Sequence, residues 1–210
     1  LTRLANTVDG YAPKQNYIVK SALNMELIWC PPGSFIMGPG GNESPAHGVI
    51  LTTGFYLGQY EVTQEEYEKV IGFNPSEFVG DKLPVEDVSW EDASKFCEIL
   101  NKKERTPRGW VYTLPTEAQW EYACRAGSTS KWSFGDREED FGEYGWFRGN
   151  SEGHSHPVGL KTPNQWGLYD MHGNIKEWCS DNHAPFTDAP ALDPQGAEKG
   201  PKVVRSGSWF

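Results

Sequence analysis

The 210-residue chain is short of positive charge, of cysteine and of long apolar runs. Lys and Arg number 19 against 29 Asp and Glu, a formal net charge of −10. Counterion release from phosphates cannot drive such a chain onto a polyanion, so neither a nucleic-acid partner nor an anionic membrane surface is expected. No apolar run approaches the roughly 18 residues that span a bilayer, and the opening LTRLANTVDGYAPK holds no signal-peptide apolar region. The expectation is a soluble chain without membrane insertion, its compartment left open. The first residue is Leu rather than Met, which leaves room for a removed upstream segment.

Four cysteines, Cys30, Cys97, Cys124 and Cys179, lie far apart with no C-x-x-C spacing. That speaks against a zinc knuckle or a thioredoxin-type centre and for small buried hydrophobes. H-E-x-x-H, G-x-S-x-G, G-x-G-x-x-G and the P-loop are all missing. The acids Asp136, Glu138, Glu139, Asp140 and Glu143 lack EF-hand spacing and read as a solvated loop. With no repeat, heptad or linker, the chain reads as one domain.

What the chain does have is aromatic side chains, at 13 % with nine Trp, together with 23 Gly and 15 Pro. That mixture points to a loop-rich fold pinned by aromatic rings. A chain of this length buries roughly 70 % of the surface its unfolded form exposes, so a real core is available. Three helix starts show a hydroxyl N-cap with an acid or amide three residues on: Thr63 with Glu66, Ser89 with Asp92, and Thr116 with Gln119. In the second, Trp90, Ala93, Phe96, Cys97 and Leu100 recur at helical spacing, and in the third Trp120, Ala123 and Cys124 share the inner face. Strand candidates are ELIWC, SFIM, VILTTGFYLGQYEV, WVYTL and KVVRSGSW. Their order gives no βαβ alternation, and the fold class is α+β with irregular sheet. From Trp132 to Asn164 and from Asp181 to Lys202 the pattern dissolves into Gly, Pro, Asp and Asn. Loops this long bind something or are tied down from within.

One stretch, GLYDMHGNIKEWCSD from Gly167 to Asp181, gathers acids, His172 and two glycines. A Gly-containing turn beside carboxylates lets oxygens converge on a hard cation. A tight turn with solvated acids is the alternative reading. His154 and His156, two apart in HSHPVG, would face one side of a strand and could share a metal. Trp166 and Trp178 read as core aromatics.

In order, PPGSFIMG, YEVTQEEYEKV, PVEDVSWEDASKFC, LPTEAQWEYACRAG, HPVGLKTPNQWGLYDMHGNIKEWCSD and VVRSGSWF resemble the formylglycine-generating enzyme family, the sulfatase-modifying factor domains. The resemblance runs from about Cys30 to Phe210. It implies a loop-rich, C-type-lectin-like α+β fold over residues 25–210, with 1–24 as an N-terminal extension and truncation at the C-terminus. It implies copper- and oxygen-dependent oxidation of a cysteine in a C-x-P-x-R segment of a sulfatase to formylglycine. Copper(I) in that chemistry is held by a soft thiolate pair just past the GGS turn, here SGSW, so the pair would fall beyond Phe210.

Several site residues follow from the same resemblance. A structural Ca²⁺ would be held by the side chains of Asp170 and Glu177 and the carbonyls of Gly173 and Ile175. Ser208 matches a serine beside the catalytic cysteines, or else is a turn hydroxyl capping local backbone. Lys176 and Trp209 fall along the substrate groove, with Lys176 where the family usually carries Trp. His47 and His172 match positions of structural hydrogen bonds. Cys97 and Cys124 match positions of structural disulfides whose partners would lie near the far C-terminus, and without that segment β-strand KVVRSGSW would stand unpaired. The expected partner is a polypeptide substrate or protein ligand. The alternative function is a non-catalytic lectin-fold binding module of the same family.

Overall fold

Three capping boxes set where the helices begin. The computed structural model describes residues 5–7, 18–21, 23–38, 45–104, 106 and 109–210. Helix α1 (Gln64–Ile71) starts at Thr63, α2 (Trp90–Lys103) at Ser89 and α3 (Glu117–Arg125) at Thr116. In each, the N-cap hydroxyl accepts from the third backbone N–H while the side chain there returns to the cap's own N–H, satisfying two orphan donors at once. Gly72 ends α1 in the left-handed region at φ 98°. The last turn of α3 is closed from outside: Asn164 Nδ2 donates to the carbonyls of Ala123 and Cys124 at 2.8 and 3.1 Å.

The main sheet runs β1 (Ala5–Thr7), β6 (Phe55–Gly58), β3 (Glu26–Cys30), β2 (Ile18–Lys20), all antiparallel. Two of its strands therefore come from residues 1–24, most of which lie outside the described residues. Alternation along β3 sends Leu27 and Trp29 into one core and Ile28 and Cys30 into the other. Being buried on both faces is why ELIWC and FYLG carry apolar residues without a polar stripe. The first core closes under α1 and α2 through Tyr67, Val70, Phe96 and Leu100. The second closes under α3, and under β4 (Gly33–Met37), which pairs antiparallel with β5 (His47–Leu51), itself parallel to β8 (Ala191–Leu192).

The remaining pair is β7 (Glu177–Asn182) with β9 (Lys202–Arg205), antiparallel, with Glu177 opposite Arg205. KVVR is thus a paired strand, not the unpaired edge expected from the sequence. WVYTL, by contrast, forms no strand among the described residues. The side chain of Asn101 takes both backbone groups of Tyr112, accepting from its N–H at 2.7 Å and donating to its carbonyl at 2.8 Å, which replaces a strand partner.

The long coil after α3 is tied down from within. Trp132, Phe134, Phe141, Tyr144 and Phe147 form a ring cluster, with Phe134 stacked on both Trp132 (5.4 Å) and Tyr144 (4.4 Å). The acids from Glu138 to Asp140 make a short 3₁₀ turn leading into α4 (Phe141–Tyr144) and, with Arg137 bridging Glu139 and Asp140, stay at the surface.

Candidate functional site

Residues 170–177 turn tightly beneath the C-terminal residues. Gly173, at φ 117°, lies so near the Trp146 carbonyl that a Cβ there would collide with it. Asn174, itself left-handed at φ 63°, is fully buried and uses all its polar groups. Its N–H donates to the Trp146 carbonyl (3.0 Å), and its carbonyl accepts from Trp209 N–H (2.8 Å). Its Oδ1 accepts from His156 N–H (2.9 Å), and its Nδ2 donates to the Glu61 carboxylate (2.6 Å) and the His156 carbonyl (3.1 Å). Glu61, also fully buried, takes Ile175 N–H at 3.2 Å as well.

Ser206, opposite this turn at φ 78°, collects three of its backbone groups: its Oγ accepts from Gly173 N–H (3.0 Å) and reaches the carbonyls of Gly173 (2.9 Å) and Asp170 (3.3 Å). Ser151 Oγ donates to the Trp209 carbonyl at 2.7 Å. The turn and the chain end are therefore one braced unit. Glu61, Asn174, Ser151 and Ser206 were not singled out from the sequence. The signal that could have found them is Gly-Asn in GNIKEW, a pair suited to left-handed backbone.

The predicted ligand set is divided by this arrangement. Asp170 and Glu177 are 1 % and 0 % exposed, a burial that suits carboxylates held by a cation. Asp170 Oδ2 also accepts from Gly159 N–H at 2.7 Å. Of the two named carbonyls, that of Gly173 already accepts the Ser206 hydroxyl, leaving one lone pair. The donors are all oxygen and so fit a hard ion. No group of three or more His, Cys, Asp or Glu among the described residues is arranged for a metal, so a cation here would lean on backbone carbonyls.

Ser208 Oγ accepts from Phe210 N–H at 3.4 Å and reaches the Phe210 carbonyl at 3.5 Å. Lys176 is exposed between buried Ile175 and Glu177. Trp209 is half-buried and opens a run of rings: Phe210 (5.9 Å) on one side, Phe78 edge-on (6.0 Å) on the other, then His154 (5.9 Å), His156 (4.5 Å) and Trp146, stacked on His156 at 3.7 Å. Arg148 lies over Phe210 and Lys161 over Trp146. Each histidine spends one ring nitrogen as a donor to a carbonyl, His156 Nε2 to Ser151 and His154 Nδ1 to Ser155, both at 2.8 Å. They serve the array as rings. Val79 and Phe210, at 79 % and 78 % exposed, leave its neighbourhood open and apolar.

None of the four cysteines present reaches this surface. All four thiols are free and buried in the two cores. Burial pushes Cys97 up to about 12 and Cys179 well above its ordinary value. Cys97 lies in the first core and Cys124 in the second. Thiols so placed do not fit a copper centre, which needs accessible thiolate. Trp178 and Trp166, both partly buried, pack against the first and second cores, Trp178 Nε1 donating to the Val88 carbonyl at 3.0 Å. His172 accepts from the Ser133 hydroxyl at 2.8 Å and burial pushes its pKa down to about 4, so it is neutral and structural.

Few regular elements, two cores about one sheet and long braced coils define a C-type-lectin-like α+β domain. The chain belongs to the Sulfatase-modifying factor enzyme 1-like domain family, which it matches over residues 15–210. It is 29 % identical to the chaperone protein LppX of Paenibacillus barcinonensis over 206 residues, 76 % of this chain and 71 % of that one. It is 34 % identical to the formylglycine-generating enzyme of Streptomyces coelicolor over 142 residues, which is 60 % of this chain but only 42 % of the enzyme. Among solved structures it is similar to Treponema denticola variable protein 1, with a TM-score of 0.81 and 29 % identity over 92 % of this chain and 87 % of that one. No helix among the described residues is long and apolar enough to cross a membrane.

Proposed function

We propose that these residues form a polypeptide-recognition module whose binding surface is the ring array around Trp209. The observation that carries the reading is the pairing of a rigid base with an open aromatic face. Asn174, Ser151 and Ser206 fix the backbone beneath Trp209, so its half-buried ring and its neighbours meet a ligand already ordered. Aromatic side chains flanked by Arg148 and Lys161 suit extended peptide segments with aromatic or acidic residues. The test is a peptide library panned against the chain, with mass spectrometry of the captured peptides. Unmodified peptide held by wild type and lost in Trp209→Ala supports the reading, and capture unaffected by that substitution removes it.

A second reading, cysteine oxidation to formylglycine, draws support from the 34 % identity to the Streptomyces enzyme and from the SGSW turn that carries Ser208. It would need a copper-binding thiolate pair that the four buried cysteines do not supply. Copper, oxygen and a C-x-P-x-R peptide should yield an aldehyde if it holds.

Ca²⁺ bound by Asp170, Glu177 and the carbonyls of Gly173 and Ile175 is part of the same proposal. It would neutralise two buried carboxylates and stiffen the base of the recognition surface, without chemistry of its own.

A further inference from the structure

Away from the ring array, at the other end of β7, lies a cavity of about 290 Å³ between β5, the start of α3 and the 184–196 coil. It shares none of the residues of the Trp209 surface. Its walls are apolar, with Met37, Phe186 and Pro194 among them, and Glu117, Asp181 and His47 supply its polar groups. This combination of apolar walls and few convergent polar groups is the make-up of a small-molecule pocket, at the lower end of the usual range of about 300–1,000 Å³.

The polar groups of the cavity are incompletely used. Asp181 is 96 % buried, being 4 % exposed, and its Oδ2 accepts from Glu117 N–H at 3.1 Å and from the Ser180 hydroxyl at 3.0 Å. Its own backbone N–H also donates to the carboxylate, and Oδ1 faces Gly196, a lining residue. His47, 9 % exposed, reaches the Pro45 carbonyl only at 3.5 Å through Nδ1 and lays its ring 5.2 Å from Phe186.

Charge is left over as well. Glu121 takes both nearby guanidiniums, Arg125 at 2.8 Å and Arg205 more closely still. Glu117 shares Arg205 only at 3.6 Å, and Asp181 has no ion pair among the described residues. Lys202 is spent on the Ser180 carbonyl and the Trp90 ring. Burial raises the pKa of both Glu117 and Asp181, outweighing the opposing pull of Arg205 and His183 on Glu117 and of Lys202 on Asp181.

We propose that this cavity is a binding site for an alkylammonium or alkylguanidinium group, its charge on Asp181 Oδ1 and the Glu117 carboxylate and its carbon chain against Phe186, Met37 and Pro194. A neutral ligand would leave the carboxylates underpaired, and an anion would be repelled by them. The face of Phe186 adds a cation–π contact. The volume admits a fragment of the size of an arginine or lysine side chain.

The test is calorimetric titration of the whole chain with agmatine, n-butylamine, n-butanol and butyrate. Both cations should saturate, n-butanol should bind about tenfold or more weakly, and butyrate should not bind. Asp181→Asn keeps an oxygen for Glu117 N–H and should weaken agmatine about thirtyfold, the cost of removing one partner of a buried charge pair. Should that variant fail to fold, Thr187→Lys supplies an internal ammonium at the exposed lip and should lower affinity with the melting temperature unchanged. A second titration uses the acetylated, amidated peptide Gly-Gly-Arg-Gly-Gly. Equal uptake of peptide and agmatine identifies a socket for a protein side chain, and uptake of agmatine alone identifies a small-molecule site. Equal affinity for n-butanol and agmatine, or unchanged agmatine binding in folded Asp181→Asn or in Thr187→Lys, overturns the proposal.

Discussion

The side-chain amide of Asn174 donates to the carboxylate of Glu61 at 2.6 Å across 113 positions of sequence. The same carboxylate receives Ile175 N–H, so one buried acid sets both the side chain and the backbone of the turn under Trp209. In Glu61→Gln an N–H would face the Asn174 amide where an oxygen now sits. Urea denaturation should show a loss of about 2 kcal/mol, the cost of a buried unsatisfied donor.

Ser206→Ala removes the one hydroxyl that meets Asp170 and Gly173 backbone together. A loss of about 1–2 kcal/mol is expected in the same measurement. Peptide capture should fall too, because the turn then supports Trp209 less firmly. Loss of stability with capture intact would separate the turn from the binding surface.

All four thiols of the chain should be silent toward Ellman's reagent in the native state and should react together in denaturant, since each is buried. Rapid native reaction at any one of them would show a thiol accessible enough to reopen the question of copper. Trp209→Ala, on the surface side, should cut peptide affinity about tenfold or more while shifting stability by under about 1 kcal/mol.

Asp181 has a definite sign in the pH profile. Burial, outweighing the Glu117 N–H and Ser180 hydrogen bonds, holds its folded pKa above the ordinary 3.8. Its contribution to stability is complete below that value and is lost as pH rises through the folded one, because the folded state retains the proton longer. The stability of Asp181→Asn relative to wild type should therefore improve as pH rises from below 3.8 through the folded pKa of Asp181. A difference that stays flat across that window contradicts the assignment.

Calcium at Asp170 and Glu177 predicts a melting temperature that rises with added Ca²⁺ and falls on chelation. At a hundredfold excess over Kd the gain is about 2.7 kcal/mol. Asp170→Asn should abolish the response, and wild type indifferent to both ion and chelator would remove the ion from the account.

The helices were legible because their start signals are local: Thr63, Ser89 and Thr116 each find their partners within three residues. ELIWC was legible as a strand from composition, whereas VILTTGFYLGQYEV, which reads as one strand, is broken into β5 and β6 on different sheets; the aromatic anchoring of the coil after α3 was legible from the abundance of rings. What escaped was everything that depends on distant meetings. Glu61 reads as one more acid before a helix until Asn174 arrives from another part of the chain. WVYTL has the composition of a strand, and the Asn101 side chain takes its hydrogen bonds instead. Asp181 and Glu117 are 64 positions apart, and nothing in either neighbourhood announces the cavity they share.

Because β3 sends neighbouring side chains into opposite cores, neither core can come apart while the other keeps its packing. Thermal melting is then a single cooperative event. The amides of residues 27–30 should be among the slowest in the molecule to exchange with deuterium, opening only when the entire chain does.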